Sequence, residues 1–408
     1  MNPRRLAALA LRALPCLAVL LAAVPARAAG EPIRIGALGP FTGSIAFNAE
    51  EMRKGMLLAL DEVNGQGGLF GRKVELVFGD TEAKPNVGVA VVKKLITRDR
   101  VLVVGGGYVS SVNIATSEVC ERERTPNVVA IAISPTITSR GMKWVYRTAP
   151  DSLQGLSVTN GFIKDVKRPH TVAFLMENSD YGRDGEKIFS AGARAAGAQE
   201  LAHLYYQLGD TDFTTQITKL KELHPDVTFS IGSTVEQSLI QKQAHEQSFV
   251  TQWVGAGGHF TEAFFKMLGP VSQGAMGSSL EPTLATSDPI ATDFVKRYEA
   301  KYSGARAGIF SSQGYDNLKV ILDAVRRAGA PTGDLEKDRA RVRDALASTD
   351  LHLTQGRIQF DEHGQVSTVT PYVVQVQLVN GAPRLVIVYP PAKATGTYQQ
   401  PGAGAEHR

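Results

Sequence analysis

From Glu31 onward, short β-branched runs alternate with amphipathic stretches of helical spacing, and this alternation restricts the chain to one class of fold. Residues 33–38 (IRIGAL) have strand length and are almost wholly apolar. Residues 49–64 follow, with Met52, Met56, Leu57, Leu60 and Val63 at helical spacing. Strands are then predicted at 73–78, 101–104 and 128–133, separated by helices at 86–97 and 112–123. Strands that alternate with helices of this length make βαβ units and a parallel sheet. The apolar character of the strands agrees, because such a sheet is covered on both faces. The pattern then repeats, with strands at 171–176, 227–231 and 253–256 and helices at 185–196, 213–222, 236–247 and 262–268. Two βα halves in one chain imply two similar lobes. Helices at 290–302, 315–328 and 341–348 and strands at 357–360 and 371–379 complete the reading. The stretch from Ala392 is small, polar and rich in Gly and Pro, and is expected to be disordered.

The N-terminus reads as an export signal. Arg4, Arg5 and Arg12 precede an apolar run over 13–24, which closes on Ala26-Arg27-Ala28, small residues where a signal peptidase cuts. The run falls short of the roughly 20 residues a bilayer span requires. Cys16 follows Pro15 inside that run, whereas a lipid-modified Cys should end it. Loss of residues 1–28 removes four Arg and no acid, leaving 40 basic against 40 acidic residues. The formal charge of +4 therefore belongs to the leader, and no basic excess is left for nucleic acid. Of the two Cys only Cys120 stays, so no internal disulfide forms and the fold rests on core burial. A mature chain of about 380 residues has room for two cores. No later stretch reaches transmembrane length, so a soluble protein is expected.

Five stretches carry a resemblance. They are the opening IRIGALGPFTGSIAFNAEEMRKGMLLALDEVNGQGGLFGRKVELVFGDTEAKP, then RVLVVGGGYVSSVNIATSEVCERERTPNVVAIAISPTIT, YRTAPDSLQG, VAFLMENSDYGRDG and GRIQFDEHGQV. In this order and spacing they resemble the branched-chain amino-acid type of periplasmic binding protein, over residues 31–391. The resemblance implies an α/β chain of two Rossmann-like lobes, each a mainly parallel sheet flanked by helices, joined by three hinge crossings. Lobe 1 is placed at 29–149 plus 281–354 and lobe 2 at 150–280 plus 355–391, between a signal peptide at 1–28 and a flexible tail at 392–408. It implies a monomer that closes on a small-molecule ligand and meets a membrane-embedded ABC permease transiently, with no cofactor, no metal and no chemistry of its own.

Ligands of open α/β sheets sit beyond the carboxyl ends of strands, where helix N-termini offer unpaired N–H groups to an anion. Ser110 and Ser111 follow the strand and glycine run at 101–107 and stand where the resemblance implies a carboxylate grip; they would also serve as plain helix caps. Ala132, Ile133 and Ser134 match a second ligand loop, although Ile133 brings no hydroxyl where the family often has one. Phe47 and Asn48 match a loop that carries a ligand-facing residue. Tyr181, in DYGRDG, matches a Tyr that covers the ligand on closure, its alternative being a half-buried packing residue. Ser233 and Thr234 stand where amino-acid binders carry an aromatic residue. Gly257 stands where they carry the carboxylate that pairs with an α-ammonium, with Glu236 or Glu177 as substitutes. His259 either donates to a polar ligand atom or is a solvated loop residue. Without an acid at Gly257 the resemblance points to a carboxylate, an amide or an amino acid, slightly towards ligands that lack the α-amino group.

Enzyme readings lack their residues. Gly105-x-Gly107 follows a strand, but Ser110 stands where a dinucleotide fingerprint needs its third Gly. There is no G-x-S-x-G elbow, and the eight His include no i, i+4 pair for zinc. A ligand-sensing receptor of the same fold, acting on a signalling partner, is the alternative function. The leader reading predicts a mature N-terminus at Ala29, within a residue or two, on N-terminal sequencing of the periplasmic fraction; soluble protein that keeps Met1 contradicts it.

Overall fold

The computed structural model describes residues 30–401, so the leader and the last residues of the tail lie outside the described residues. The first half of the chain runs β1 (Ile33–Gly39), α1 (Ala46–Gly65), β2 (Val74–Asp80), α2 (Pro85–Thr97), β3 (Val103–Gly106), α3 (Ser110–Arg122), β4 (Asn127–Val129) and β5 (Val145–Arg147). These strands form one parallel sheet in the order β2-β1-β3-β4-β5. The chain then enters α4 (Ser152–Phe162), β6 (Thr171–Glu177), α5 (Asp180–Ala195), β7 (Gln199–Tyr206), α6 (Thr214–Leu223), β8 (Val227–Ile231), α7 (Thr234–Glu246), β9 (Gln252–Ala256), α8 (Glu262–Leu268) and β10 (Met276–Ser279). It returns through α9 (Pro289–Lys301), α10 (Ile309–Ala328), α11 (Leu335–Ala347) and the hairpin β11 (Asp350–Leu353) and β12 (Gly356–Gln359), and ends with β13 (Tyr372–Val379) and β14 (Ala382–Tyr389). The second sheet is ordered β14-β13-β10-β9-β8-β6-β7, antiparallel only where β13 meets β10 and β14. Two mainly parallel sheets flanked by helices make the two lobes that the alternation predicts.

Each lobe has its own core. In the first, α10 lies on α1, and fully buried Met52, Met56, Leu318 and Ile321 meet Ile35 and Val103 of the sheet. The helices cross with their backbones in contact: a Cβ on Gly55 would overlap the Ser311 carbonyl, and one on Gly314 would overlap that of Met52. In the second lobe Phe174, Phe189 and Phe229 stack at centroid separations of 5.4 Å (Phe174–Phe229) and 4.4 Å (Phe189–Phe229), each fully buried. Each such ring contributes about 1.5–3 kcal/mol on leaving water.

The departures from the predicted elements have local causes. Expected over 128–133, β4 stops at Val129 because the chain turns away to present its next carbonyls to Arg147. At its start α10 gains six residues, because Gly308 N donates to Ser311 Oγ in a cap that apolar spacing does not reveal. Strands β7 and β10 escape the pattern, the former as a half-exposed edge (QELAHLYY) and the latter as small residues (MGSS) under a close backbone approach at Gly277. The tail expectation needs correction. Residues 394–401 are docked on the second sheet, where Gln399 N donates to Gln375 Oε1 (2.9 Å) and Gln375 Nε2 to Gln399 O (2.7 Å). Tyr398 lies 5.1 Å from the Phe162 ring and donates to Gln252 Oε1 at 2.9 Å. Buried amides on β13 and β9 require partners, and this segment supplies them despite its disorder-like composition.

Three segments link the lobes, one after β5, one after β10 and one between β12 and β13. The first and third are tied by Arg147, whose side chain is wholly buried. Its Nε donates to Gln365 Oε1 (2.6 Å), Nη1 to the carbonyls of Ser134 (2.6 Å) and Ala132 (3.2 Å), and Nη2 to Thr138 Oγ1 (3.0 Å), with Asp151 Oδ2 at 3.7 Å. The second crossing carries Glu281, which is 2% exposed and accepts from Ile309 N at 3.1 Å. Glu51 of α1, 7% exposed, lies close by, as do Glu262 of α8, Lys54 and Arg306. Arg306 reaches Glu281 at 3.5 Å and gives its backbone N–H to Glu262. Burial, reinforced by Glu281 and Glu262 against Lys54 and Arg306, raises Glu51 from 4.5 to about 8; burial raises Glu281 to about 7.

Two predictions follow from these buried charges. Arg147→Leu removes the donors that Gln365 Oε1, Thr138 Oγ1 and the carbonyls of Ala132 and Ser134 accept from and leaves Asp151 without its cation. Urea unfolding should therefore show a loss of about 3–5 kcal/mol, and a loss under 1 kcal/mol contradicts the role. For Glu51 the folded state keeps a proton that the unfolded chain releases above pH 4.5, so stability falls as pH rises from 4.5 to about 8. Glu51→Gln should raise Tm by several degrees at pH 8, little at pH 4.5, and flatten the slope between; an unchanged slope in calorimetric scans counts against it.

Candidate functional site

A cavity of about 130 Å³ lies between the lobes, beyond the carboxyl ends of β3 and β4 on one side and of β6, β8 and β9 on the other. The first lobe presents the N-terminus of α3. Its cap residue is Val109, which has no polar side chain, so Ser110 and Ser111 are the first two helical residues rather than the caps. The helix-opening N–H groups consequently have no capping side chain beside the cavity. Ser110 Oγ accepts from Ser134 N at 3.3 Å, which fixes the neighbouring loop against the helix. Ile131, Ala132 and Ile133 of that loop, with Ile45, Ile309 and Phe310, make an apolar wall. Tyr108 lines the cavity with its ring edge-on to Phe310 at 5.2 Å.

The second lobe presents Glu177 at the end of β6, Tyr181 in the first turn of α5, and Ser233 at the cap of α7. Burial holds the Glu177 carboxyl above its ordinary range and nearby Glu236 adds to this, while the Ser179 hydroxyl and Ser233 N–H pull it back. Tyr181 is partly buried and its hydroxyl has no hydrogen-bond partner among the described residues. Asp151, the other acid in the wall, is engaged: it caps α4 through Gln154 N (2.8 Å) and faces Arg147. Among the described residues, no Lys, Arg or His lines the cavity.

Of the residues singled out from the sequence, Ser110, Ser111, Ala132, Ile133, Tyr181 and Ser233 come together on this wall. Asn48, Thr234 and Ser134 lie beside it and join the lobes instead. Asn48 Nδ2 donates to Tyr108 Oη (2.8 Å) and, across the cleft, to Thr234 Oγ1 (3.2 Å). Ser134 Oγ donates across the cleft to Asp184 Oδ2 of α5 at 2.5 Å. Phe47 is 49% exposed and does not line the cavity. Gly257 opens the short turn Gly257–Phe260, and the neighbouring Gly258 is the residue that lines the cavity. His259 is not a solvated loop residue, and it does not line the cavity. It is fully buried with its ring 5.6 Å from Phe264 and Nδ1 3.3 Å from the Ala256 carbonyl, and burial lowers its pKa to about 4, so the imidazole is neutral.

Glu236, the first substitute considered for the missing acid, is occupied: Oε1 accepts from Gly209 N (2.8 Å) and Oε2 from the Ser233 hydroxyl. Glu177 is the substitute that reaches the cavity. Ser279 and Gln313 are lining residues the sequence reading missed. Ser279 ends a strand too polar to be recognised, and Gln313 lies in the part of α10 before its apolar stripe begins. Among the described residues there is no group of three or more His, Cys, Asp or Glu placed to hold a metal, and no helix is long and apolar enough to cross a membrane.

Residues 32–382 match the family described as periplasmic binding protein. The chain is 29% identical over 339 residues to the leucine-, isoleucine-, valine-, threonine-, and alanine-binding protein of Pseudomonas aeruginosa, covering 83% of this chain and 88% of the relative. It is 27% identical over 344 residues to Leu/Ile/Val-binding protein homolog 3 of Brucella melitensis, covering 84% and 91%. Among solved structures it is similar to the isoleucine-bound substrate binding protein of a branched-chain amino acid transporter from Streptococcus pneumoniae, with a TM-score of 0.78, 24% identity, and coverage of 88% of this chain and 100% of that one. A benzoate-bound solute binding protein from R. palustris gives a TM-score of 0.78 at 20% identity, covering 87% and 96%. At these identities the structural likeness concerns the fold.

Proposed function

The chain belongs to the periplasmic binding protein family, in its branched-chain amino-acid type, and from that premise we propose that it captures a small organic carboxylate, amide or amino acid between its lobes and delivers it to an ABC importer. Members of the family are extracytoplasmic, non-enzymatic solute-binding proteins. Export through residues 1–28, and a permease that receives the closed form, complete the proposal.

The observation that carries the ligand class is the polarity of the closed cavity. One lobe offers helix N–H groups at Ser110 and Ser111, the other offers the Glu177 carboxyl, apolar residues lie between, and among the described residues no cationic side chain lines the cavity. A carboxylate fits the helix end, where N–H groups and the dipole favour negative charge. Glu177 favours an ammonium, amide or hydroxyl at the other end of the ligand. This gives the amino acid the partner that Gly257 does not provide, and a substituted carboxylic acid or amide meets the same two ends. Relatives and neighbours named for aliphatic amino acids and for benzoate span this range. The contacts across the cleft, Asn48 with Thr234 and Ser134 with Asp184, support capture by closure.

A thermal-shift panel of the twenty amino acids, aromatic acids, keto acids and amides, followed by calorimetry, tests the proposal. At least one member should bind with a Kd on the order of micromolar or tighter, from a few charge-assisted hydrogen bonds less the cost of closure. Glu177→Gln should weaken an amino-acid ligand about 10- to 100-fold and spare its des-amino analogue. A panel without hits, or an amino acid bound equally by the variant, overturns the reading.

A further inference from the structure

Ser279 and Gln313 bring a second polar position to the cavity, on the side of the second crossing. Ser279 ends β10 and is 2% exposed; Gln313 stands in the second turn of α10 and is 5% exposed. Ser279 Oγ and Gln313 Oε1 are buried without a hydrogen-bond partner. Such atoms are rare in folded proteins, because the lost hydration is not replaced. Both residues line the cavity, so a ligand held there is placed to supply the missing partner once the side chain turns towards it.

The surroundings decide what kind of partner. Asp316, wholly buried in α10, accepts from the backbone N–H of Thr354 (3.0 Å) and of Gln355 (3.1 Å) and from Gln355 Nε2 (3.1 Å). A carboxylate on Nε2 orients the Gln355 amide so that Oε1 faces Gln313, and Gln313 Nε2 approaches that oxygen at 3.5 Å. The Gln313 amide is thereby turned with Nε2 towards Gln355, and its carbonyl oxygen is the group left over. The relay Asp316–Gln355–Gln313 makes this position a hydrogen-bond acceptor, and the rotatable Ser279 hydroxyl complements a donor that is also an acceptor.

Resting on the proposed carboxylate reading, we propose that Gln313 and Ser279 form a specificity subsite for an O–H or N–H group on the part of the ligand remote from its carboxylate. The ligand class narrows to organic acids that bear a second donor, such as hydroxylated or amide-bearing acids, over purely aliphatic or unsubstituted aromatic ones.

Calorimetry on matched pairs tests this, with threonine against valine and 4-hydroxybenzoate against benzoate, on the wild-type protein, Gln313→Leu and Ser279→Ala. In at least one pair the wild type should favour the hydroxyl-bearing member by tenfold or more. Gln313→Leu should erase or reverse that preference while it still binds the apolar member, and Ser279→Ala should reduce it severalfold. Melting without ligand, expected to be unchanged or higher in Gln313→Leu, shows that the variant is folded; should it not fold, Ser279→Ala alone decides. Equal binding of both members by the wild type, or a preference the variants leave intact, overturns the subsite and spares the carboxylate reading. Absence of binding by all four probes, alongside a panel without any carboxylate hit, overturns both.

Discussion

The guanidinium of Arg147 is the point on which the architecture depends. A cation taken fully out of water costs several kcal/mol unless its donors are met, and here they reach Gln365, Thr138, two loop carbonyls and the vicinity of Asp151. Burial depresses its pKa to about 10, which still leaves it charged at any physiological pH. The bonds draw three things together: the first crossing, which Arg147 itself opens; the third crossing, through Gln365; and the loop 130–134 that forms one wall of the cavity. Two crossings and one wall of the cavity are therefore set by one side chain. This loop leaves the sheet because its carbonyls serve Arg147, and its leaving opens the space in which a ligand can sit.

Closure uses a different kind of contact. Neutral or singly charged hydrogen bonds, Asn48 to Thr234 and Ser134 to Asp184, join the lobes beside the cavity. Each contributes on the order of 1 kcal/mol net, and somewhat more where a carboxylate accepts. On the proposed reading, bonds of this size suit a cleft that opens and closes, because water replaces them at little cost. The stronger interactions sit at the hinge, where nothing needs to part. Residues singled out for ligand contact thus divide between two tasks, with Ser110, Ser111, Tyr181 and Ser233 on the wall and Asn48, Ser134 and Thr234 joining the lobes or bordering that junction.

Much of this was legible in the sequence, and for a physical reason. Parallel strands covered on both faces must be apolar throughout, so β1, β6, β8 and β9 stand out at once, and helices α1, α2 and α7 show their spacing. What stayed hidden depends on tertiary partners. Strand β10 has small polar residues because another backbone lies against Gly277, and residues 394–401 are docked because Gln375 and Gln252 need hydrogen bonds. The same holds at the site. Ser110 and Ser111 could be found from a strand, a glycine run and a helix start, all local. Gln313 could not, since its free oxygen is set by Gln355 and Asp316 some 40 residues apart in sequence. His259 could be read locally as a ligand donor or as a solvated loop residue, whereas the fold buries it with its ring 5.6 Å from Phe264.

The electrostatic balance of the cavity bears on selectivity. The N-terminus of α3 favours an anion by at most about 2 kcal/mol in a partly buried setting. An ionised Glu177 opposes that anion, because like charges repel across a cavity of low effective dielectric. The two effects work against each other, so a bare carboxylate gains less than the helix end alone would give unless the Glu177 charge is also answered. Two ligand chemistries answer it. An ammonium pairs with the ionised carboxyl, and a hydroxyl or amide accepts its proton or donates to it according to its state, which burial tilts towards the protonated form. On the proposed reading, Glu177 therefore selects less for a particular side chain than for ligands whose charge is small once they are in the site. The apolar wall of Ile131, Ile133 and Phe310 then sets the size of the body, and the Gln313 oxygen its polarity at the remote end.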